Sequence, residues 1–335
     1  MNQKYLVPLA VVFLLFLFAY TGVEGAGLQG FFGIFVPYTA VILFVIGFIY
    51  RITKWAGSAV PFRIPTTCGQ QKSLPWIKQN CIDNPDTGIG VFIRMVLEIF
   101  LFRSLFRNTK AAFNRSEKNE LTYSWEIFLW LGALAFHYAF LTTITRHLRF
   151  FLDPVPSCLK FLEFIDGIAQ VGLPGLMLSG VVLLAAALFL LARRTLDNKV
   201  SYISLASDYF PLFLIIGIAI TGISMRYLTK VDIIGIKELT MGLATFNPVI
   251  PEEVGGLFYA HIFLVSTLLA YFPVSKLMHM GGIFLSPTRN MANNTRAVRH
   301  INPWDYEVKT HTYEEYEDDF REKMIEAGLP VDKKE

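Results

Sequence analysis

The sequence predicts an all-α membrane protein, a polytopic bundle of six transmembrane helices, and three observations carry that expectation. The 335 residues are 53% hydrophobic and 15% aromatic, with a mean hydropathy of +0.45, too apolar for an ordinary water-soluble domain. Six apolar runs are long enough to cross a hydrocarbon core of ~30 Å. Four of the six histidines lie inside two of those runs, and ionisable side chains in a bilayer are costly and usually functional. The net charge of +3 discriminates little by itself.

The runs occupy residues 5–20, 31–50, 125–151, 171–192, 206–227 and 257–280. The first follows Lys4 in the manner of a secretory signal, but no clean A-x-A site occurs around Ala19 to Ala26, so it reads as an uncleaved helix. It forms a hairpin with the second run through the glycine-rich turn GVEGAGLQG. Neither run holds a histidine, which suits packing elements or an interface for a neighbouring membrane subunit.

Residues 51–120 form an inner loop interrupted by Pro61, Pro65, Pro75 and Pro85, with Trp55 and Trp76 as interfacial anchors. Within it, residues 91–113 read as a helix along the membrane surface, because Arg94, Glu98, Arg103 and Arg107 break its apolar face. The third run carries His137 and His147, and the sixth His261 and His279. After the third come Pro154 and Pro156, then a polar connection with Lys160, Glu163, Asp166 and Gln170. The fourth and fifth are nearly uncharged bundle walls with Gly172, Gly175, Gly180, Gly217 and Gly222. The sixth stops at Gly281 and Gly282. The tail ends in a helix with Tyr313, Tyr316, Phe320 and Met324 at helical spacing, closed by Gly328 and Pro330, a docking element for a cytoplasmic partner. The expected organisation is therefore an N-terminal hairpin (1–50), a cytoplasmic loop with an interfacial helix (51–120), a four-helix core (121–282) and a cytoplasmic tail (283–335).

Lysine and arginine orient the bundle. Twenty-four fall on one side of the expected spans and six on the other, so the positive-inside rule puts both termini in the cytoplasm, in an inner membrane crossed several times. Inner and outer are used below in that sense. Cys68 and Cys81 lie in the inner loop without C-x-x-C spacing or a nearby histidine, and Cys158 is alone on the outer side, so structural or incidental thiols are expected.

With alternating spans antiparallel, His147 and His261 approach the outer surface while His137 and His279 lie deeper. Imidazoles paired at two depths across facing helices are what two six-coordinate b haems require, one axial nitrogen from each side. His137 and His147 are ten residues apart, about 15 Å along a helix, and His261 and His279 eighteen, about 27 Å if straight. That mismatch is relieved if the sixth helix bends at Pro273, and the outer pair is the firmer assignment. A lone histidine in such a helix is more often a hydrogen-bonded structural residue; the pairing raises the functional reading. A di-iron or zinc site would want nearer carboxylates than Glu126 and Asp153, and a transport path would want acids within several spans.

These spacings bring out a resemblance. Residues 125–299 resemble the membrane cytochrome b subunit of respiratory nitrate reductase, the NarI-like family, which binds two b haems through two histidines on each of two helices. The tail LSPTRNMANNTRAVRHINPW looks like the branch of DsrM-type and HdrE-type cytochrome b subunits. The resemblance implies that His147 and His261 ligate an outer haem and His137 and His279 an inner one. It implies menaquinol as the outer substrate, a cytoplasmic iron–sulfur partner of the DsrK type, and further membrane and periplasmic redox subunits in a sulfur-respiring complex. The first span and the long inner loop depart from the five-span pattern. Arg146 and Arg149 flank His147 and could pair with haem propionates or a quinone oxygen, or serve as interfacial anchors. Lys160, Asp166, Arg226 and Lys230 are quinone-site candidates at the same level. The competing reading is a haem-free anchor subunit whose histidines only bridge helices; a transporter does not account for the paired depths.

Overall fold

A computed structural model describes residues 3–58, 69–115, 119–167, 175–299, 301, 307 and 309–333. Among them six helices are long and apolar enough to span a membrane: Gln3–Ala26, Phe31–Ala56, Ile127–Phe151, Leu178–Leu196, Ala206–Thr229 and Gly256–Val274. Their α-helical parts are α1 (Gln3–Ala26), α2 (Val36–Ala56, preceded by a π turn Phe31–Phe35), α5 (Ile127–His147), α7 (Leu178–Leu196), α9 (Ala206–Ser224) and α11 (Gly256–Tyr271). The all-α expectation holds for the bundle; one two-stranded antiparallel hairpin, β1 (Thr109–Arg115) and β2 (Asn119–Trp125), lies between the inner loop and α5.

Helix packing follows the small residues. α1 lies against both α9 and α11, so the N-terminal hairpin is built into the bundle. At the α1–α9 crossing a Cβ on Gly217 would come within 3.3 Å of Val12 Cγ1. α5 packs chiefly on α7, where a Cβ on Gly132 would collide with the Phe189 ring. α11 packs on α1, α2 and α9. Between the two histidine levels, Leu268 of α11 packs onto Ala139, Leu183 and Ile215, flanked by Phe136 and Phe140. Of all α5 residues only Ala139 is buried by the rest of the chain.

The sixth span is shorter than its apolar run. Pro273 cannot donate a backbone hydrogen bond, α11 ends at Tyr271, and the chain passes through two 3₁₀ turns, Phe272–Val274 and Lys276–Met278, into a four-residue helix, α12 (His279–Gly282). Ser275 is extended and its hydroxyl accepts from Leu277 N at 3.1 Å, restarting the turn. α2 abuts the break: a Cβ on Gly47 would be 2.6 Å from Pro273 Cβ.

The surface helix expected over 91–113 is corrected to two pieces, α3 (Gly88–Leu101) and α4 (Arg103–Phe106), because the chain reverses at Phe102. Arg94 and Glu98 are both buried, on one face as their spacing requires, whereas Arg103 and Arg107 pair with Asp83 of the inner loop. The tail clasps the same loop: Asn293 N donates to Pro85 O at 2.7 Å, Asn293 Nδ2 to Asn84 Oδ1 at 2.5 Å, and Arg289 pairs with Glu98 at 3.1 Å. Two short helices cover the outer side, α6 (Ser157–Asp166) and α10 (Ile233–Ala244); a six-residue helix, α8 (Asn198–Ile203), follows α7 inside. Asp232 caps α10 through Ile234 N and Gly235 N. The acidic tail helix forms as α13 (Tyr313–Glu326), capped by Thr312 and Glu315. Its Tyr313, Tyr316 and Phe320 are exposed while Met324 is buried. Cys81 and Cys158 are free and exposed, and Cys68 lies outside the described residues.

Candidate functional site

Each of the four imidazoles has Nδ1 held by an oxygen. His137 Nδ1 is 2.8 Å from Ala133 O, His147 Nδ1 2.7 Å from Thr143 O, and His279 Nδ1 2.8 Å from Lys276 O. A carbonyl oxygen only accepts, so in these three neutral rings the proton sits on Nδ1 and Nε2 keeps its lone pair. His261 Nδ1 is 2.8 Å from Thr221 Oγ1, and that hydroxyl is 2.9 Å from Gly217 O and 3.0 Å from Ile218 O. Once the hydroxyl donates to a carbonyl, its oxygen accepts from His261 and gives this ring the same tautomer. An oxygen fixing one ring nitrogen so that the other is free to coordinate is the usual support of a metal-bound imidazole.

The inner pair lies close together. The His137 and His279 ring centroids are 6.0 Å apart and their planes cross at 81°. Two metal–nitrogen bonds of ~2 Å, with ~1.2 Å from each nitrogen to its ring centre, give ~6.4 Å between axial imidazoles, so these rings fit opposite sides of one iron. The break at Pro273 lies between His261 and His279, so the two histidines of the sixth span are carried by separate helical pieces. A Cβ on Gly222 would be 3.3 Å from His261 Cε1, so only glycine lets α9 approach this ring without crowding it. The sequence favours the outer pair as the firmer; in the structure the ring contact seen is that of the inner pair. His147 and His279 are exposed and His137 and His261 half-buried, so the chain does not itself enclose them. Among the described residues no three His, Cys, Asp or Glu side chains converge, so the histidines come as pairs.

The flanking charges form a second layer on the outer side. Arg146 Nη1 donates to Asp166 Oδ2 at 2.5 Å and to Ser179 Oγ at 3.0 Å. Ser179 N and Oγ donate to the same carboxylate at 2.7 and 2.6 Å. Asp166, a quinone-site candidate by sequence, therefore has its carboxylate taken up in tying α5, α6 and α7 together. Arg149 pairs with Glu163 at 2.6 Å. Arg226 donates to Gly175 O at 3.3 Å and lies over the Tyr227 ring. The Nε atoms of Arg146 and Arg226 are buried without a protein partner, a donor set suited to an anionic or carbonyl oxygen. Lys160 and Lys230 are exposed on the outer surface.

Thr221 and Phe102 are functional candidates the sequence reading missed. The signal for Thr221 was available, a hydroxyl in an otherwise apolar span, but its depth relative to His261 was not. Two apolar clefts, of about 410 and 330 Å³, lie between α2 and residues 280–287, lined by Phe48, Ile52, Trp55, Gly281, Phe284 and Leu285. They open one residue beyond His279 rather than at the outer pair.

Residues 90–300 match the family described as the nitrate reductase gamma subunit. The chain is similar to proteins described as the Hdr-like menaquinol oxidoreductase cytochrome b-like subunit. The one from Archaeoglobus fulgidus is 49% identical over 281 residues, covering 82% of this chain and 83% of that protein. The one from Archaeoglobus profundus is 43% identical over 277 residues, covering 81% of each.

Proposed function

The chain belongs to the nitrate reductase gamma subunit family, and from that premise we propose that it is the dihaem b subunit of a membrane menaquinol-linked oxidoreductase. It passes electrons between menaquinol on the outer side and a cytoplasmic iron–sulfur subunit of the DsrK or HdrD type, in dissimilatory sulfur metabolism. It is one subunit of a larger complex rather than a complete enzyme. The relatives named as subunits of a menaquinol oxidoreductase support the quinol and the complex. The observation that carries the dihaem reading is the inner pair of rings, 6.0 Å apart with both Nδ1 atoms bonded to carbonyl oxygens.

Haem, when bound, supplies the one-electron chemistry, and the protein supplies position, ligation and local charge. His147 and His261 would hold the outer group and His137 and His279 the inner one, with Nε2 as the free ring nitrogen of each. Thr143, Thr221, Ala133 and Lys276 keep the proton on Nδ1. Arg146 and Arg226 present buried guanidinium nitrogens to propionate or quinone oxygens, with Arg149, Lys160 and Lys230 at the same outer level. Leu268, Phe136 and Phe140 keep water from the space between the two levels. Protons from the oxidised quinol leave on the outer side, close to where it is bound.

A reduced-minus-oxidised spectrum with pyridine haemochrome quantitation should give two b haems per chain, and a colourless, well-folded preparation would sink the reading. Replacing His147 or His261 by Ala should remove one spectral component and leave the other. Copurification identifies the iron–sulfur partner; a chain truncated after Pro287 that still copurifies it would count against the tail as its docking element.

A further inference from the structure

Phe102 has φ 48 and ψ 48, the left-handed region that residues with a Cβ other than Asn and Asp rarely enter. Backbone held in such a conformation by surrounding structure clusters at functional sites. Here the surroundings are specific. The reversal leaves the last carbonyls of α3 without helical partners, and two α5 side chains take them: Trp130 Nε1 donates to Leu101 O at 2.7 Å, and Tyr138 Oη to Phe100 O at 3.0 Å. Phe106 stacks edge-on against Trp130 at 4.9 Å. Glu98 accepts from Ser104 N and Oγ at 2.9 and 2.7 Å, fixing the far side of the turn, and its other oxygen receives Arg289 of the tail. What this corner delivers is the Phe102 ring, edge-to-face against His137 with centroids 4.9 Å apart and planes at 77°.

We propose that Phe102 is a positioning residue for the inner haem ligand: its ring sets the plane of the His137 imidazole, and the strained corner exists to put it there. The proposal rests on the dihaem reading. The Nδ1 bond to Ala133 O holds one edge of the His137 ring, and the Phe102 ring is, with Phe136, one of the two phenyl neighbours that limit its remaining tilt, at 4.9 and 5.2 Å. The angle between the His137 and His279 planes is 81°. Nearly perpendicular axial imidazoles give a highly anisotropic low-spin ferric signal, and parallel ones a rhombic signal, so the plane can be read directly.

The test uses the full-length membrane-extracted protein with Phe102→Gly and Phe102→Leu. Glycine accepts the left-handed backbone, so the first variant removes the ring without adding strain; leucine keeps apolar bulk without a flat face. Haem content is measured first, and His147→Ala and His279→Ala assign the outer and inner signals. Both Phe102 variants should lower the highest g value of the inner signal and shift its midpoint potential, leaving the outer signal in place. An inner signal and potential unchanged in both variants would overturn the proposal. Should the glycine variant lose its inner haem, an unchanged inner signal in the leucine variant would overturn it equally. A parent protein without haem would reject the functional reading itself and is recognised at the first step.

Discussion

The Arg146–Asp166 pair offers a quantitative check on how the outer end is held together. The side chains are 12% and 6% exposed, and the carboxylate accepts from Arg146, Ser179 N and Ser179 Oγ. Asp166→Ala leaves a guanidinium in a poorly solvated site with one unsatisfied nitrogen already, and breaking a buried pair from one side costs about 3–5 kcal/mol. Arg146→Met leaves an enclosed carboxylate with two Ser179 donors, a milder loss of about 2–3 kcal/mol. The double variant carries no stranded charge, so it should cost about 2–3 kcal/mol against a sum of about 5–8 kcal/mol, a coupling of about 3–5 kcal/mol. The assay is equilibrium unfolding in mixed micelles followed by far-UV circular dichroism, which reads the helices and not the haem. Additivity within about 0.5 kcal/mol would refute the pair as a structural clasp across α5, α6 and α7.

Two further outcomes are expected. Thr221→Val removes the oxygen on His261 Nδ1 while preserving shape; loss of such a supporting partner weakens metal binding about 10–100-fold, so outer haem should be lost first on titration with apomyoglobin, with the inner one retained. In the inner loop, hydrogen bonds from Lys72 and Gln79 hold the Asp86 carboxyl below its ordinary value of 3.8. A depressed folded value means stabilisation that is full at neutral pH and fades as pH falls through the acid range, so amide protection of residues 69–87 should drop below about pH 4, and Asp86→Asn should abolish that dependence.

Much of the bundle was legible because each span is determined locally. Length and hydropathy suffice for six crossings, and alternate antiparallel passage is enough to pair His147 with His261 and His137 with His279 in depth. The polar connection after the third span holds a helix, α6, and α10 covers the same side; both are short and mixed in polarity, and what makes them helices is docking onto α5 and its 3₁₀ extension, as when Thr240 Oγ1 bonds Phe150 O at 2.6 Å. The inner surface helix was read too long because nothing local marks Phe102 as a reversal; a glycine there would have, but the turn is held by Trp130 and Tyr138 from elsewhere in the chain.

By itself, then, the sequence determined the membrane class, the number of spans and the four imidazoles, since these follow from apolar run length and from the cost of placing an ionisable group in lipid. Tertiary structure decided the rest: the tautomer of His261, set by Thr221 Oγ1 of another span 2.8 Å away; the meeting of His137 with His279; and the Phe102 ring beside His137, brought in by contacts between residues nearly thirty or more apart. Those features are set by distances between helices, and no periodicity within one helix encodes them.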